Sequence, residues 1–338
     1  MMNRWVLFAL SVLSGILVSL SMPNYNLWFL AWAGLVPMYI AIDGKQLKFG
    51  QKQWIAFPGT LIWSFAVHNW YPAIMGWFAG IALMIGVGLF FAATIALGKT
   101  IEERIAGKAG LFVLPSVWSA VEWLRFIAPV TKDWWFVLLP KSQWNNEWAL
   151  PVLAVGGFAL LSFSIVLVNV SIARLLLTAV RSKTASSTGL AGLAVSAAVL
   201  ILSNLFGGAS PGERTVKVAA ISDMVTQNEA IISLAQSEKA GDGYVADSLP
   251  MMQAIFDVNA RMTREIVEKE RPQFVVWSEN EFTNYDNVQM MSQLKGLAKE
   301  LGVYLVVDVV WNSGKGMHDT ALMIGPDGKE VGNRAKIN

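Results

Sequence analysis

Apolar residues run in long blocks through the first two-thirds of the chain, at 5–21, 26–42, 54–72, 75–98, 110–128, 151–178 and 189–207. A bilayer span needs roughly 20 mostly apolar residues, with about 17 as the short limit, so these blocks predict about seven transmembrane helices. The breaks fall where breakers or charges cluster: Met22-Pro23-Asn24, residues 43–52, residues 99–108, and the Ser/Thr-rich stretch 181–188. The first block is read as a span rather than a signal peptide, because no small-residue cleavage site is evident and another apolar block follows at once.

Past Gly207-Gly208 and Pro211-Gly212 the pattern changes. Residues 215–221 form a β-branched run of strand length. From Pro250 to Glu270, Met252, Ile255, Phe256, Met262 and Ile266 recur near the helical period, and Arg271-Pro272 closes the segment. Residues 273–277 read as a buried strand, 288–301 as a helix and 304–310 as a third strand. Turns at 312–316 and 326–329 then frame a further strand at 320–325. Strands alternating with helices, followed by a hairpin, predict α/β layers with sites at the C-terminal ends of the strands.

Composition sharpens this division. Hydrophobic residues make up 54% and charged residues 15%, with a mean hydropathy of +0.48; soluble domains carry roughly 25% charged residues. Residues 1–209 hold 13 Lys/Arg against 6 Asp/Glu, and residues 210–338 hold 13 against 18. Thirteen of the 15 Trp precede residue 210. The domains expected are therefore a transmembrane bundle over 1–209 and an acidic α/β domain over 210–338. Ten Lys/Arg (Arg4 and those at 45–52, 99–108 and 174–183) fall on one side of the spans, against Arg125, Lys132 and Lys141 on the other. The positive-inside rule then puts the N-terminus in the cytoplasm and, after seven crossings, the second domain outside, which in a bacterium is the periplasm. Cations spread thinly over short loops speak to orientation in a membrane, not to nucleic acid. There is no Cys and there are two His, so disulfides and thiolate zinc sites are excluded and no metal or other cofactor is expected.

Candidate chemistry is sparse. Trp134, Trp135, Trp144 and Trp148 crowd one external loop, as an aromatic belt or as an interfacial segment that admits a lipid. Glu122 and Arg125 stand three apart near the end of the fifth block, where they can pair on one helix face. His68 lies inside the third block and reads as a hydrogen-bonded packing residue. Glu279 lies two residues past the strand ending at Trp277, where a carboxylate can be half-desolvated and tuned as a general base. Its neighbour Glu281 points the same way along an extended segment, so either could act. Spacing alone makes Lys336 an ordinary surface lysine.

Several motifs together resemble the apolipoprotein N-acyltransferase family, membrane enzymes of the nitrilase superfamily. Pro23-Asn24-Tyr25-Asn26-Leu27-Trp28 with Leu35-Val36-Pro37 resembles that family's first hairpin of spans. Leu114-Pro115-Ser116-Val117-Trp118 with Glu122-Trp123-Leu124-Arg125 resembles its Pro-x-x-Trp and Glu-Trp-Leu-Arg motif. Val275-Val276-Trp277-Ser278-Glu279 resembles the segment carrying the nitrilase Glu, and Gly332-Asn333-Arg334-Ala335-Lys336-Ile337-Asn338 the one carrying the nitrilase Lys. The departures are Ser278 in place of Pro, Ser222 where the first strand usually runs into Gln, and Asp308 where the family has a small residue. The family's Cys lies tens of residues past its Lys, so a chain ending at Asn338 is expected to be a partial sequence, inactive by itself.

The resemblance implies a multi-pass helical membrane bundle followed by the front part of a nitrilase-like α-β-β-α sandwich. It implies acyl transfer from a phospholipid donor to the N-terminal amine of a lipoprotein's diacylglyceryl-Cys, through a Cys thioester. Glu279 is then the base and Lys336 helps stabilise the oxyanion, at the bacterial inner membrane. The competing classes are another membrane-anchored nitrilase-type amidase and a non-catalytic membrane scaffold. A transporter is weaker, because the spans carry little ionisable content beyond His68, Glu122 and Arg125.

Overall fold

The computed structural model describes residues 3–43, 47–105, 107–128, 138–182, 186–206, 215–221, 249–279, 283–312 and 316–335. The chain divides into two compact units, Met1–Ser210 and Pro211–Asn338.

The first unit is a helical bundle: α1 (Arg4–Ser21), α2 (Val36–Ile42), α3 (Phe49–Val67), α4 (Tyr71–Met75), α5 (Trp77–Glu102), α6 (Val113–Ile127), α7 (Pro151–Ser182) and α8 (Ser187–Phe206). Among the described residues, five helical stretches are long and apolar enough to cross a membrane: α1, α5, Gly107–Ile127, Pro151–Arg181 and α8. This is a membrane protein, and the two remaining expected spans take other forms. Residues 26–42 are not one helix. Asn26 holds a left-handed φ of 56°, Trp28–Trp32 is a 3-10 turn, and α2, opened by Pro37, has only 7 residues. At about 1.5 Å per residue, α2 alone reaches a third of the hydrocarbon thickness. The third block starts earlier than expected and ends earlier, because Gln51, Lys52 and Gln53 join the first turns of α3 and His68 caps its end. Inside α7 the helix breaks at Gly156-Gly157, where Gly157 adopts φ 63°, a conformation that costs glycine little and other residues much.

Close packing and polar ties hold the bundle. A Cβ on Gly15 would lie 2.7 Å from the Gly59 Cα, so α1 and α3 touch backbone to backbone, the small-residue contact typical of membrane helices. Trp63, Phe91 and Trp118 pack together in the buried core, with ring centroids 4.7 to 5.9 Å apart and the two Trp rings stacked. Asn169 on α7 accepts from Leu35 N (2.8 Å) and donates to Ala31 O (2.8 Å), securing the irregular segment ahead of α2. His68 contacts Ser64 O through Nδ1 at 2.9 Å and lies 4.5 Å from the Tyr71 ring, as a packing residue.

Two loop cations of the sequence reading are in fact buried. Lys99, in the last turn of α5, contacts Asp43 Oδ1 (2.7 Å) and Glu102 Oε1 (3.0 Å). Glu102 Oε1 also accepts from Tyr39 OH (2.5 Å) and from Arg174 Nη2 (2.9 Å), so a single oxygen joins α2, α5 and α7. Lys52, 1% exposed, pairs with Glu103 at 2.7 Å.

The second unit carries a five-stranded mixed sheet in the order β1 (Val218–Ile221), β2 (Phe274–Trp277), β3 (Tyr304–Asn312), β4 (Met317–Ile324), β5 (Glu330–Ala335). The first three strands are parallel, and β4 and β5 add antiparallel. Helices α9 (Leu249–Glu270) and α10 (Val288–Leu301) supply Ile255, Phe256, Met290 and Leu294 to a core shared with Val275, Trp277, Leu305, Val307, Val309 and Leu322. Asn287 caps α10 by accepting from Met290 N (3.1 Å), and Gly302 ends it at φ 65°, the left-handed stop that favours glycine.

Candidate functional site

Strand alternation decides which residues of the sheet are available for chemistry. Val275 and Trp277 point into the helix-covered core, so Val276 faces the other way. The Trp277 indole donates to Thr263 Oγ1 on α9 (2.9 Å) and its ring meets Phe256 edge-on at 6.1 Å, which fixes the end of β2. One residue on, Ser278 N donates to Ile221 O (2.9 Å), continuing the ladder with β1. Downstream, Val310 N donates to Thr283 O (3.0 Å) and Tyr285 N to Val310 O (2.8 Å). Glu279 therefore lies just past the locked end of β2, at the C-terminal edge of the parallel strands, and its side chain is exposed.

A cavity of about 350 Å³ opens there on the sheet face away from the helices. Glu279, Asp308 on β3, Asp319 on β4 and Arg334 on β5 all line it. The register explains the grouping: Asp308 pairs with Ala321, and Ala321 pairs with Arg334. Directly paired residues share a face, so the carboxylate and the guanidinium flank a single methyl, with Cα atoms roughly 10 Å apart by ordinary strand spacing. Asp319, two residues before Ala321, joins the same face. Further along β5, Glu330 accepts from Tyr285 OH (2.6 Å) and pairs with Lys295 at 2.7 Å. The Lys295 ammonium, then the Tyr285 hydroxyl, holds that carboxyl below the usual carboxylate range. This tie links Tyr285, past β2, to the start of the last strand on the helix-covered side of the sheet.

Of the residues singled out in the sequence, Glu279, the candidate base, and Asp308, a departure from the family pattern, both line this cavity. Lys336, Glu281 and Ser222 lie outside the described residues, Lys336 being the residue after β5. Asp319 and Arg334 were not foreseen. Their signal was the alternation of β4 and β5, which selects a face only once the hairpin register is known. Among the described residues, no cluster of three or more His, Asp or Glu could hold a metal ion.

The bundle brings together a second polar group. Glu122 on α6, wholly buried, accepts from Leu139 N at 2.9 Å and from Ser162 Oγ on α7. Gln143 in the 3-10 turn Leu139–Gln143 then donates to Trp28 O (3.0 Å) and accepts from Trp32 Nε1 (2.9 Å). The glutamate thereby pins the segment after α6 onto the bundle. Arg125 interacts electrostatically with Glu122, and its guanidinium lies 5.4 Å from the centre of the Phe91 ring.

Residues 14–171 match the family model described as the apolipoprotein N-acyltransferase N-terminal domain. Over 350 aligned positions the chain is 24% identical to the apolipoprotein N-acyltransferase of Geobacter metallireducens, an alignment that covers 98% of this chain and 63% of that protein. The chain thus spans less than two-thirds of that relative's length.

Proposed function

This membrane protein is a relative of the apolipoprotein N-acyltransferases, and on that footing we propose that it carries the membrane bundle and the base-bearing half of an enzyme that moves an acyl chain from a phospholipid to a lipoprotein's N-terminal amine. The observation that carries the reading is Glu279 at the rim of a cavity, at the C-terminal edge of parallel strands. In that reading residues 210–338 are the front part of a nitrilase-like domain, and 1–209 the bundle that keeps it at the lipid.

The chemistry runs in two halves. Glu279 takes the proton of a cysteine thiol, and the thiolate attacks the ester carbonyl of the phospholipid. The C–S bond forms, the C–O bond to glycerol breaks, and the proton passes to the departing glycerol oxygen. The acceptor amine then attacks the thioester and gives up a proton to Glu279, and the thiol is restored. Lys336 stabilises the oxyanion of each tetrahedral intermediate. The cysteine is not among the 338 residues.

Residues 1–338 by themselves are expected to form no acyl-enzyme and to leave a lipopeptide amine unmodified, because the thioester needs a thiolate. Intact-mass measurement after incubation with phospholipid checks this. A covalent acyl adduct on the purified chain would refute the cysteine mechanism and point to Ser or Lys as nucleophile.

The cytoplasmic N-terminus and the periplasmic second domain rest on the ten-to-three distribution of Lys/Arg. A phosphatase reporter fused after Gly212 is expected to be active only outside the inner membrane, and one at Ala106 to be inactive. The opposite pattern at either position would reverse the proposed topology.

A further inference from the structure

Two residues before Glu279, β2 leaves its neighbours unevenly. The ladder to β3 covers Phe274, Val275 and Val276, whereas the ladder to β1 runs on through Trp277 to the Ser278 amide. From Trp277 onward, among the described residues, the strand is paired with β1 alone, and its path depends on what grips it from the helix side. Thr263 on α9 supplies a grip. It is fully buried, and its hydroxyl proton is spent on Asn259 O, one turn back, at 2.7 Å. A hydroxyl carries one proton and two lone pairs. Toward Trp277 it can therefore only accept, and the indole N–H, at 2.9 Å, can only donate. The result is a one-way chain from indole through hydroxyl to helix carbonyl. Phe256, two turns earlier on the same face of α9, meets the indole ring edge-on.

We propose that Thr263 is a positioning residue for Glu279: by receiving the Trp277 indole it sets the direction in which the chain leaves β2, and with it the place of the carboxylate in the cavity. This rests on the reading of Glu279 as the base. At most roughly 7 Å separates the Cα atoms of Trp277 and Glu279, so a tilt of the strand end moves Glu279 with it. A misplacement of about 1 Å can cost a reaction about 10²-fold. Valine at position 263 keeps the shape but turns a methyl toward the indole N–H. Serine keeps the acceptor.

Kinetics and amide hydrogen exchange in detergent test it together, in the form of the protein extended to carry the cysteine. Thr263→Val is expected to lower kcat about tenfold with KM within about twofold, as for a displaced catalytic group rather than lost substrate binding. Exchange at the Ser278 amide should quicken about tenfold while the Val275 amide keeps its protection, since the opening is local to the strand end. Thr263→Ser should recover most of both losses. Arg264→Gln, at the exposed neighbour on α9, should leave both at the parent values. If Thr263→Val does not fold, Trp277→Phe removes the N–H, keeps an aromatic ring and should show the same local exchange and the same fall in kcat. Parental kcat and exchange in either variant overturn the proposal. So does a Thr263→Ser protein as impaired as Thr263→Val, or exchange that rises equally at Val275 and Ser278, which marks a merely structural role. Fast exchange at Ser278 with parental kcat, in a protein that Glu279→Gln cripples, overturns it as well. An active Glu279→Gln protein refutes the base reading by itself, and the Ser278 exchange then decides separately whether Thr263 holds the strand end.

Discussion

Under the proposed mechanism, Glu279→Gln is expected to lower acyl transfer by roughly 10²–10⁴-fold, the usual scale for loss of a general base, and Glu281→Gln to change it little. The comparison is made in a form of the protein extended to carry the cysteine, so that there is activity to lose. Glu279 follows Ser278, whose amide is locked to Ile221 O at 2.9 Å, and its carboxylate lines the cavity with Asp308 and Asp319. Glutamine keeps the shape and the hydrogen-bonding capacity but cannot accept the thiol proton, so the variant should fold normally and lose the chemical step. A crippled Glu281→Gln beside an active Glu279→Gln moves the base by two residues. Two active variants remove the nitrilase mechanism.

Glu102→Leu lowers the stability of the bundle by about 3–5 kcal/mol, the cost of removing one partner from a buried charge group. Its Oε1 receives Tyr39, Lys99 and Arg174 at 2.5, 3.0 and 2.9 Å. Without it, two cations face each other with only Asp43 to balance them, and Lys99 is 3% exposed. Adding Lys99→Met to Glu102→Leu should recover part of the loss, because the two side chains are coupled and their effects are not additive. Arg264–Glu300 provides the contrast. That pair is about half exposed on both sides, so Glu300→Gln should cost no more than ~1 kcal/mol. Thermal unfolding in detergent, followed by tryptophan fluorescence, separates these cases. A Glu102→Leu protein that melts with the Glu300→Gln protein would show that the group contributes no net stability.

Much of the organisation is local, and was legible for that reason. An apolar run of span length, a β-branched run of strand length and a 3.6-residue periodicity are each written within one element. Thus α1, α5, α8 and the helices and strands of the second unit lie close to where the pattern put them. Glu279 was legible on the same ground, since the end of an apolar strand is a local feature. The break in residues 26–42 was half legible: Asn24, Asn26, Gly34 and Pro37 are all breakers, but the apolar average over the block outweighs them.

What remained hidden depends on residues far apart in the chain. Lys99 and Lys52 count as loop cations until the partners are in place, and Tyr39 and Arg174 stand 63 and 72 positions from Glu102. No sequence window contains that group; helix packing assembles it, and burial then makes it strong. The row Asp308–Ala321–Arg334 likewise exists only at one hairpin register. A slip of one residue would turn Asp319 and Arg334 to the opposite face. Sequence alone therefore determined a membrane bundle joined to an α/β unit, and a glutamate at a strand end, because propensity and hydropathy act over a few residues. Tertiary structure decided which charges are buried, which face of the sheet carries the cavity and which helix residue receives the Trp277 indole, because pairing and packing act across the whole chain.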